Sequence, residues 1–164
     1  MSTKIIGIDP GTTESAVLFW DGKEIIYKEI LPNTSVIIML QDCCKVTTEF
    51  YGMKPLLIEK IECYGMPIGV TTIETIKWCG RFIQAWRGKC IEIPRRDIKL
   101  HFCGNMRAKD SNIRQVLIDR FGKPGTKKQQ GMTYGLKTHL WQAFALCVYF
   151  TDKEGQDETH RKTE

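Results

Sequence analysis

A short apolar run that closes on a carboxylate opens the sequence. Residues 4–9 are Lys-Ile-Ile-Gly-Ile-Asp and precede Pro10-Gly11, which is the pattern of a buried strand that ends in a turn. Residues 15–20 have a second strand pattern, and residues 24–31 a third. Because the Asp-Gly pair between them is a strong hairpin signal, the sequence predicts three antiparallel strands, with Asp9 at the end of the first.

Helix and strand patterns alternate through the rest of the chain. Asn33-Thr34-Ser35 can cap a helix that continues to about residue 51, and residues 55–61 predict a fourth, buried strand. Thr71 and Glu74 have the spacing of a capping box at the start of a second helix. One stripe of that helix is formed by Ile73, Ile76, Gly80, Ile83 and Arg87, with Cys79 and Trp86 beside it.

The later elements complete an α/β domain. They are a strand over residues 90–93 stopped by Pro94, a short basic helix over 95–103, a helix capped by Ser111, a mobile loop over 123–135, and an apolar closing helix capped by Thr138. We therefore predict one domain over residues 1–151 with a five-stranded mixed sheet, antiparallel first and then parallel, flanked by helices. Residues 152–164 are charged and are predicted to be a disordered tail.

Composition excludes several classes of protein. The chain has 164 residues, enough for one core, and no apolar run near the roughly 20 residues that a membrane helix needs. Its N-terminus has no signal-peptide pattern, so a cytoplasmic location is expected. Its seven cysteines form no C-x-x-C pair, which favours small buried hydrophobes over a zinc site or a disulfide framework.

Charge is unevenly distributed along the chain. Residues 81–137 contain 14 Lys and Arg against 4 Asp and Glu, whereas the whole chain has a net charge of +5. A basic segment beside carboxylate-bearing strands suggests a polyanion bound next to an acidic metal site. A merely solvated basic face explains the charge alone equally well.

Two carboxylates are expected at the same edge of the sheet. Asp9 ends the first strand and Glu59 lies near the end of the fourth, and ligands of open α/β sheets bind in the crevice beyond such strand ends. Buried carboxylates are costly unless they are paired or hold a metal ion. His139, in the first turn of the closing helix, can supply a third ligand or a general base. This combination suits phosphodiester hydrolysis with two Mg²⁺ ions.

Several segments, in order, resemble the RuvC family of Holliday junction resolvases. They are Ile-Ile-Gly-Ile-Asp-Pro-Gly at 5–11, Leu-Ile-Glu at 57–59, and the spacing of Ile98-Lys99, Gly104, Ala108 and Ile113. Residues 59–66, 78–82 and 109–114 look like the bacteriophage subgroup of that family. The resemblance covers about residues 4–150, nearly the whole chain.

The resemblance implies a ribonuclease H-like fold, a homodimer, Mg²⁺ or Mn²⁺, no nucleotide cofactor, and paired nicks across a four-way DNA junction, in the host cytoplasm if the chain is phage-encoded. Asp9 would bridge two metal ions, Glu59 would hold one, and Lys99 would lie near the scissile phosphate. Tyr64 and Met66 lie on the loop where the family places a residue that enters the junction core. The candidate phosphate contacts are Arg95, Arg96, Arg107, Lys109, Lys127 and Lys128.

Two positions depart from the family pattern. The closing helix of the family starts with two acidic residues three apart, whereas this chain has His139 and Gln142 there. Imidazole can bind a transition metal or accept a proton, but a neutral amide is a weaker ligand than a carboxylate. A family lysine before the later helix corresponds to Asp110 here.

Three other functions are compatible with parts of the sequence. The turn at residues 9–15 also resembles the phosphate-binding turn of actin-like ATPases, although those need two such domains. A non-catalytic binder of branched DNA would keep the basic face with a decayed metal site. A ribonuclease acting on RNA or hybrids would share the fold.

The homodimer has indirect support from Trp78, Phe82 and Trp86, which lie on more than one face of their helix.

Overall fold

The order of strands and helices follows the sequence patterns closely. The structure is a computed structural model that describes residues 4–46, 55–63 and 65–161. Its elements are β1 (Ile5–Asp9), β2 (Glu14–Trp20), β3 (Ile25–Pro32), α1 (Asn33–Val46), β4 (Leu56–Lys60), α2 (Val70–Ala85), β5 (Cys90–Pro94), α3 (Arg95–Cys103), α4 (Asp110–Phe121) and α5 (Leu140–Arg161). None of the helices in these ranges is both long and apolar enough to cross a membrane.

All five strands form one sheet in the order β3-β2-β1-β4-β5. The pairs β1–β2 and β2–β3 are antiparallel, and the pairs β1–β4 and β4–β5 are parallel. In the centre of the sheet Ile8 is aligned with Val17 on one side and with Ile58 on the other. The predicted mixed sheet, antiparallel first and parallel later, is confirmed.

Each face of the sheet has its own core because successive side chains of a strand point to opposite faces. Ile6 and Ile8 of β1 pack with α1 and α2, in a cluster that includes Leu40 and Phe82. Ile5 lies on the other face, in a cluster built mainly from α5 and completed by α3 and α4. The alternation puts Asp9 on the face that α5 covers.

Gly7 allows α5 to lie directly against β1. A Cβ at this position would lie 2.6 Å from the carbonyl oxygen of Ala143 and 2.6 Å from the Sγ of Cys147. Since real side chains do not approach so closely, the helix can occupy this depth only over a glycine.

The start and the buried face of α2 differ from the sequence prediction. The helix begins at Val70 after Gly69, and no side chain caps it, so the predicted capping box of Thr71 and Glu74 does not form. Its buried residues are Cys79 and Phe82, and Trp86 immediately after the helix is buried too. Most of the predicted stripe is exposed, with Ile73 and Ile76 40% exposed or more, whereas Ile83 packs against the core. Helical spacing cannot decide which of two apolar faces is buried.

Three further boundaries need correction. Asn33 begins α1, but its side chain points back to the turn after β1 instead of capping the helix. The residue before α4 is Lys109, not Ser111, and its N–H donates to the Oδ1 of Asn112 at 3.0 Å. Thr138 has a φ of +29°, outside the extended conformation of an N-cap residue, and α5 begins at Leu140.

The closing helix continues beyond the predicted end of the domain at residue 151. It extends to Arg161, so the expected disorder from residue 152 is wrong for this part of the tail. Asp152 accepts hydrogen bonds from both terminal nitrogens of Arg120 at 2.7 Å, and its Oδ2 lies 2.8 Å from the Nε2 of His101. These contacts tie α5 to α3 and α4, which the charge composition of the tail does not reveal.

Candidate active site

The first two predicted site residues lie side by side at the edge of the sheet. Because Ile8 is aligned with Ile58 in the parallel pair, Asp9 and Glu59 are neighbours and point to the same face. Their side chains are only 9% and 15% exposed. Two carboxylates held this close and this deep repel each other unless cations neutralise them.

His139 contacts Asp9 directly. Its Nδ1 lies 2.8 Å from the Oδ2 of Asp9, while the imidazole ring remains largely exposed. The preceding residue, Thr138, has the left-handed φ described above, which is strained for a β-branched side chain and turns the chain into α5. The backbone immediately before His139 is therefore strained at the point where the helix meets β1.

Gln142 lies three residues after His139 in the first turn of α5. Its N–H donates to the carbonyl oxygen of His139 at 3.0 Å, and the residue is only 7% exposed. The four residues predicted to hold metal ions, Asp9, Glu59, His139 and Gln142, thus lie on β1, β4 and the start of α5.

Arg95 is a member of the site whose role the sequence did not reveal. It was predicted as a phosphate contact, but its Nη1 lies 2.5 Å from the Oε2 of Glu59 and its Nη2 lies 2.7 Å from the Oδ2 of Asp110. The Pro94-Arg95 junction between β5 and α3 puts it beside β4, because β5 pairs with β4 up to Lys60 and Pro94. The only available signal was that β5 is followed at once by a basic residue.

The environment changes the protonation of two site residues. Burial raises the pKa of Glu59 to about 7, the nearby charge of Asp9 acts in the same direction, and the Arg95 guanidinium opposes both. The hydrogen bond to Asp9 raises the pKa of the His139 imidazole above its ordinary value. Near neutral pH Glu59 can therefore exchange a proton, as a general acid–base group must.

The donor atoms are of the kind that divalent ions require, but in this structure they are engaged elsewhere. Carboxylates and an imidazole suit Mg²⁺ and Mn²⁺. Arg95 is bound to Glu59, however, and His139 is bound to Asp9. Within the described ranges, no three His, Cys, Asp or Glu side chains are grouped as a metal site would need. The donor atoms of the site are therefore suited to a divalent ion, but in this structure Arg95 and His139 are bound to the two carboxylates.

A buried polar network that the sequence analysis missed holds the turn after Asp9. The N–H of Gly11 donates to the Oγ of Ser15 at 3.1 Å, and that hydroxyl donates to the Oδ1 of Asn33 at 2.6 Å. The Nδ2 of Asn33 donates back to the carbonyl oxygen of Gly11 at 3.0 Å. Ser15 and Asn33 are almost fully buried. Such closed networks fix a conformation firmly, here that of the loop next to Asp9.

The remaining predicted residues lie around the site or away from it. Lys99 is half-buried one turn after Arg95 on α3, and no described hydrogen bond or ion pair joins it to the carboxylates. Met66 is 72% exposed on the loop before α2, and Tyr64 lies outside the described residues. Arg96 pairs with Glu62 and Asp97 at 3.7 and 3.4 Å.

Four basic candidates are exposed. Arg107 and Lys109 line a surface pocket of about 490 Å³ at the start of α4, which also includes Asn105, Ser111 and Asn112. Lys127 and Lys128 lie on a turn closed by a bridge between Gly125 and Gln130. The predicted mobility of that loop stays a prediction.

This sheet order, with helices on both faces and carboxylates at the carboxyl ends of β1 and β4, is the ribonuclease H-like fold. No family model and no curated protein sequence matches the chain. Among solved structures, it is similar to the RuvC of Thermus thermophilus in complex with a Holliday junction substrate, with a TM-score of 0.63 and 13% identity over 90% of this chain and 92% of that one. A second structure of Thermus thermophilus RuvC gives a TM-score of 0.61 and 15% identity over 93% and 97%. The RuvC-like fold is thereby confirmed.

Proposed function

We propose that this protein is a metal-dependent endonuclease that cuts four-way or otherwise branched DNA by paired nicks. The observation that carries the proposal is the position of Asp9 and Glu59 at adjacent strand ends of a RuvC-like sheet, with His139 in contact with Asp9. The RuvC structure to which the chain is similar contains a Holliday junction substrate, which supports this substrate class.

Hydrolysis requires a water molecule to lose a proton as it attacks phosphorus and the P–O bond of the backbone breaks. Divalent ions, two in our proposal, would neutralise the negative charge that develops on the phosphate. Asp9 and Glu59 would hold these ions through hard oxygen atoms. Lys99, on the helix that begins with Arg95, would help to stabilise the same charge.

The contact with Asp9 gives His139 a specific role in this scheme. When Nδ1 carries the proton, its N–H donates a hydrogen bond to Asp9, and Nε2 keeps a free lone pair. A carboxylate that orients an imidazole in this way raises its basicity and fixes its tautomer. His139 would then accept the proton from the attacking water, and Asp9 would stabilise the resulting imidazolium.

The exposed basic residues form the proposed DNA surface. The pocket beside Arg107 and Lys109 and the turn with Lys127 and Lys128 offer positive charge, and no carboxylate of the described residues forms an ion pair with these four side chains. Contacts of this kind position DNA without reading its sequence. Met66, exposed on the loop that follows β4, is available for contact with unpaired bases.

The apolar side of α2 supports the proposed homodimer. From the end of the β4–α2 loop into the helix, the exposed apolar residues are Met66, Ile68, Val70, Ile73 and Ile76, each 40% exposed or more. Exposed apolar residues concentrated in one segment in this way are typical of an interface between protein chains. Two copies joined through α2 would present two sites to the two strands that must be nicked.

A non-catalytic binder of branched DNA is the second candidate function. It is favoured by the neutral Gln142 and by the cation Arg95 on Glu59, both of which weaken the site for divalent ions. Such a protein would keep the basic surface and bind junctions without cutting them.

The deciding experiment offers the purified protein a labelled four-way junction, a linear duplex and an RNA–DNA hybrid, with Mg²⁺ and with Mn²⁺. Symmetric nicks in the junction alone support the endonuclease. Tight junction binding without nicks in either metal establishes the binder. Cleavage of the hybrid alone would make the protein a ribonuclease and overturn the proposal.

A further inference from the structure

Arg95 is bound to one of the two carboxylate oxygen atoms of Glu59, which is a proposed metal ligand. Its guanidinium spans two carboxylates of different elements, Glu59 of β4 at 2.5 Å and Asp110 of α4 at 2.7 Å. A planar guanidinium with several donors is suited to hold two acceptors at once. The Arg95 side chain is 26% exposed, so it lies at the boundary between the site and solvent.

Helix stability does not explain a cation at this position. Arg95 is the first residue of α3, where the helix macrodipole disfavours positive charge. The carboxylates do explain it. Glu59 is a neighbour of Asp9 in the parallel register, and both are largely buried, so without a cation their charges would be uncompensated.

The positive charge of Arg95, 2.5 Å from the Oε2 of Glu59, would repel a divalent ion that binds the same carboxylate. Asp110, however, is 55% exposed and gives the guanidinium a second carboxylate that lies farther into solvent. We propose that Arg95 is a built-in counter-ion that neutralises Glu59 in the metal-free protein, is displaced by the divalent ion, and remains attached to Asp110. This inference rests on the proposed function, because it concerns the ion that the nuclease would use.

The competition has a measurable consequence in the absence of DNA. An opposite charge within about 4–6 Å changes the proton affinity of a carboxylate by roughly ten- to a thousandfold, and a competing divalent ion is subject to the same electrostatics. Removing Arg95 is therefore expected to strengthen metal binding even though it removes an ion pair.

The first test measures Mn²⁺ binding to DNA-free protein from the electron paramagnetic resonance signal of free Mn²⁺. Arg95→Gln is expected to bind Mn²⁺ about tenfold more tightly than the wild type, and Arg95→Gln with Glu59→Gln is expected to lose this gain. Arg96→Gln is the matched control, because Arg96 pairs with Glu62 and Asp97 and not with Glu59. Equal or weaker binding by folded Arg95→Gln would overturn the inference, as would an equal gain in Arg96→Gln.

A second test uses the wild-type chain and does not depend on how a variant folds. In nitrogen-15 NMR spectra, the Nε–H signal of Arg95 is followed while Mg²⁺ is added. Displacement from Glu59 predicts a saturable shift of this signal and little change at Arg96. An unchanged Arg95 signal at Mg²⁺ concentrations that shift the backbone amide of Glu59 would contradict displacement.

These outcomes are separable from those of the cleavage assay. Junction cleavage without a gain of Mn²⁺ affinity in Arg95→Gln would leave the endonuclease intact and remove the counter-ion. A gain of affinity without cleavage of any DNA by either protein would keep the counter-ion and reject the endonuclease.

Discussion

The Nδ1 of His139 lies 2.8 Å from the Oδ2 of Asp9, although 130 positions separate the two residues in the chain. This contact joins the residue immediately before α5 to the end of β1. Asp9 was predicted from the strand pattern at the N-terminus. His139 stands at a position where the RuvC family pattern has a carboxylate. The contact supports the proposed role of His139 as a proton acceptor oriented by Asp9, and it predicts that a substitution of either residue affects the other.

Asp9→Asn is expected to abolish cleavage and to leave junction binding unchanged or stronger. The amide keeps the size of the side chain but removes the charge that would hold a cation and orient His139. Nicking and gel-shift assays on the same junction measure the two effects. Asp119→Asn, exposed on α4 and bonded to Gln115, is the control and should cut normally. Loss of binding together with cleavage would count against a purely catalytic role.

The metal-free protein is expected to lose stability as pH rises from about 4.5 to 7. The folded pKa of Glu59, about 7, lies above its ordinary value of 4.5, so in this range the folded state binds more protons than the unfolded state. The expected loss is up to about 3 kcal/mol in the free energy of unfolding. Urea titrations in EDTA measure it. Glu59→Gln should flatten this pH dependence, whereas the exposed Glu24→Gln should keep it; the same slope in both variants would refute the assignment to Glu59.

Gly7→Ala is expected to destabilise the fold by about 1–3 kcal/mol. The added methyl group would overlap the backbone of α5 at Ala143 and the Sγ of Cys147. Gly80→Ala on α2 is the matched control, because nothing lies within 4 Å of its Cβ. Alanine there should stabilise the helix by roughly 0.5–1 kcal/mol. Chemical denaturation of both variants shows whether the free energy of unfolding changes in opposite directions. Equal changes would mean that α5 can move away from β1.

Asn33→Ala is expected to cost about 1–3 kcal/mol of stability and to slow cleavage. The substitution leaves the hydroxyl of Ser15 and the carbonyl of Gly11 without their buried partner, so the turn after Asp9 loosens. Denaturation and nicking rates at saturating junction are the measurements. Thr34→Ala, at the exposed neighbouring position, should change stability by less than about 0.5 kcal/mol. Unchanged nicking by Asn33→Ala would show that the turn does not position Asp9.

Ile73→Glu with Ile76→Glu is expected to convert the protein to monomers. Both side chains are exposed on one side of α2, and charges there would be buried in the proposed interface. Light scattering should give twice the 18.9 kDa of one chain for the wild type and 18.9 kDa for the variant. Met106→Glu replaces another exposed apolar residue away from the stripe and should remain dimeric. A monomeric wild type would exclude the interface.

The strands and the two carboxylates were predictable because short-range patterns determine them. An apolar run that ends at Asp9, and another that ends near Glu59, define both the strands and the sheet edge at which they end. The pairing of Arg95 with Glu59 and Asp110 depends on three elements that meet only in the folded chain. No spacing in the sequence contains that information.

The errors have equally physical causes. Helix α2 has apolar residues around most of its circumference, so spacing could not tell the buried Phe82 side from the exposed Ile73 side. A charged tail has the same composition whether it is disordered or forms a solvated helix. Asp152 decides between the two, because Arg120 and His101 hold it in place.

The contacts of Asp152 link the C-terminal part of α5 to the helices that lie beside the candidate site. Helix α3 begins at Arg95, and α5 begins immediately after His139, so both helices start beside the candidate site. Farther along, Asp152 of α5 contacts His101 of α3 and links the two helices a second time. The two helices are thus fixed relative to each other at a point remote from any reacting group. A chain shortened before Asp152 would lose this link between α3 and α5, so the position of the two helices beside the candidate site would depend on their remaining contacts.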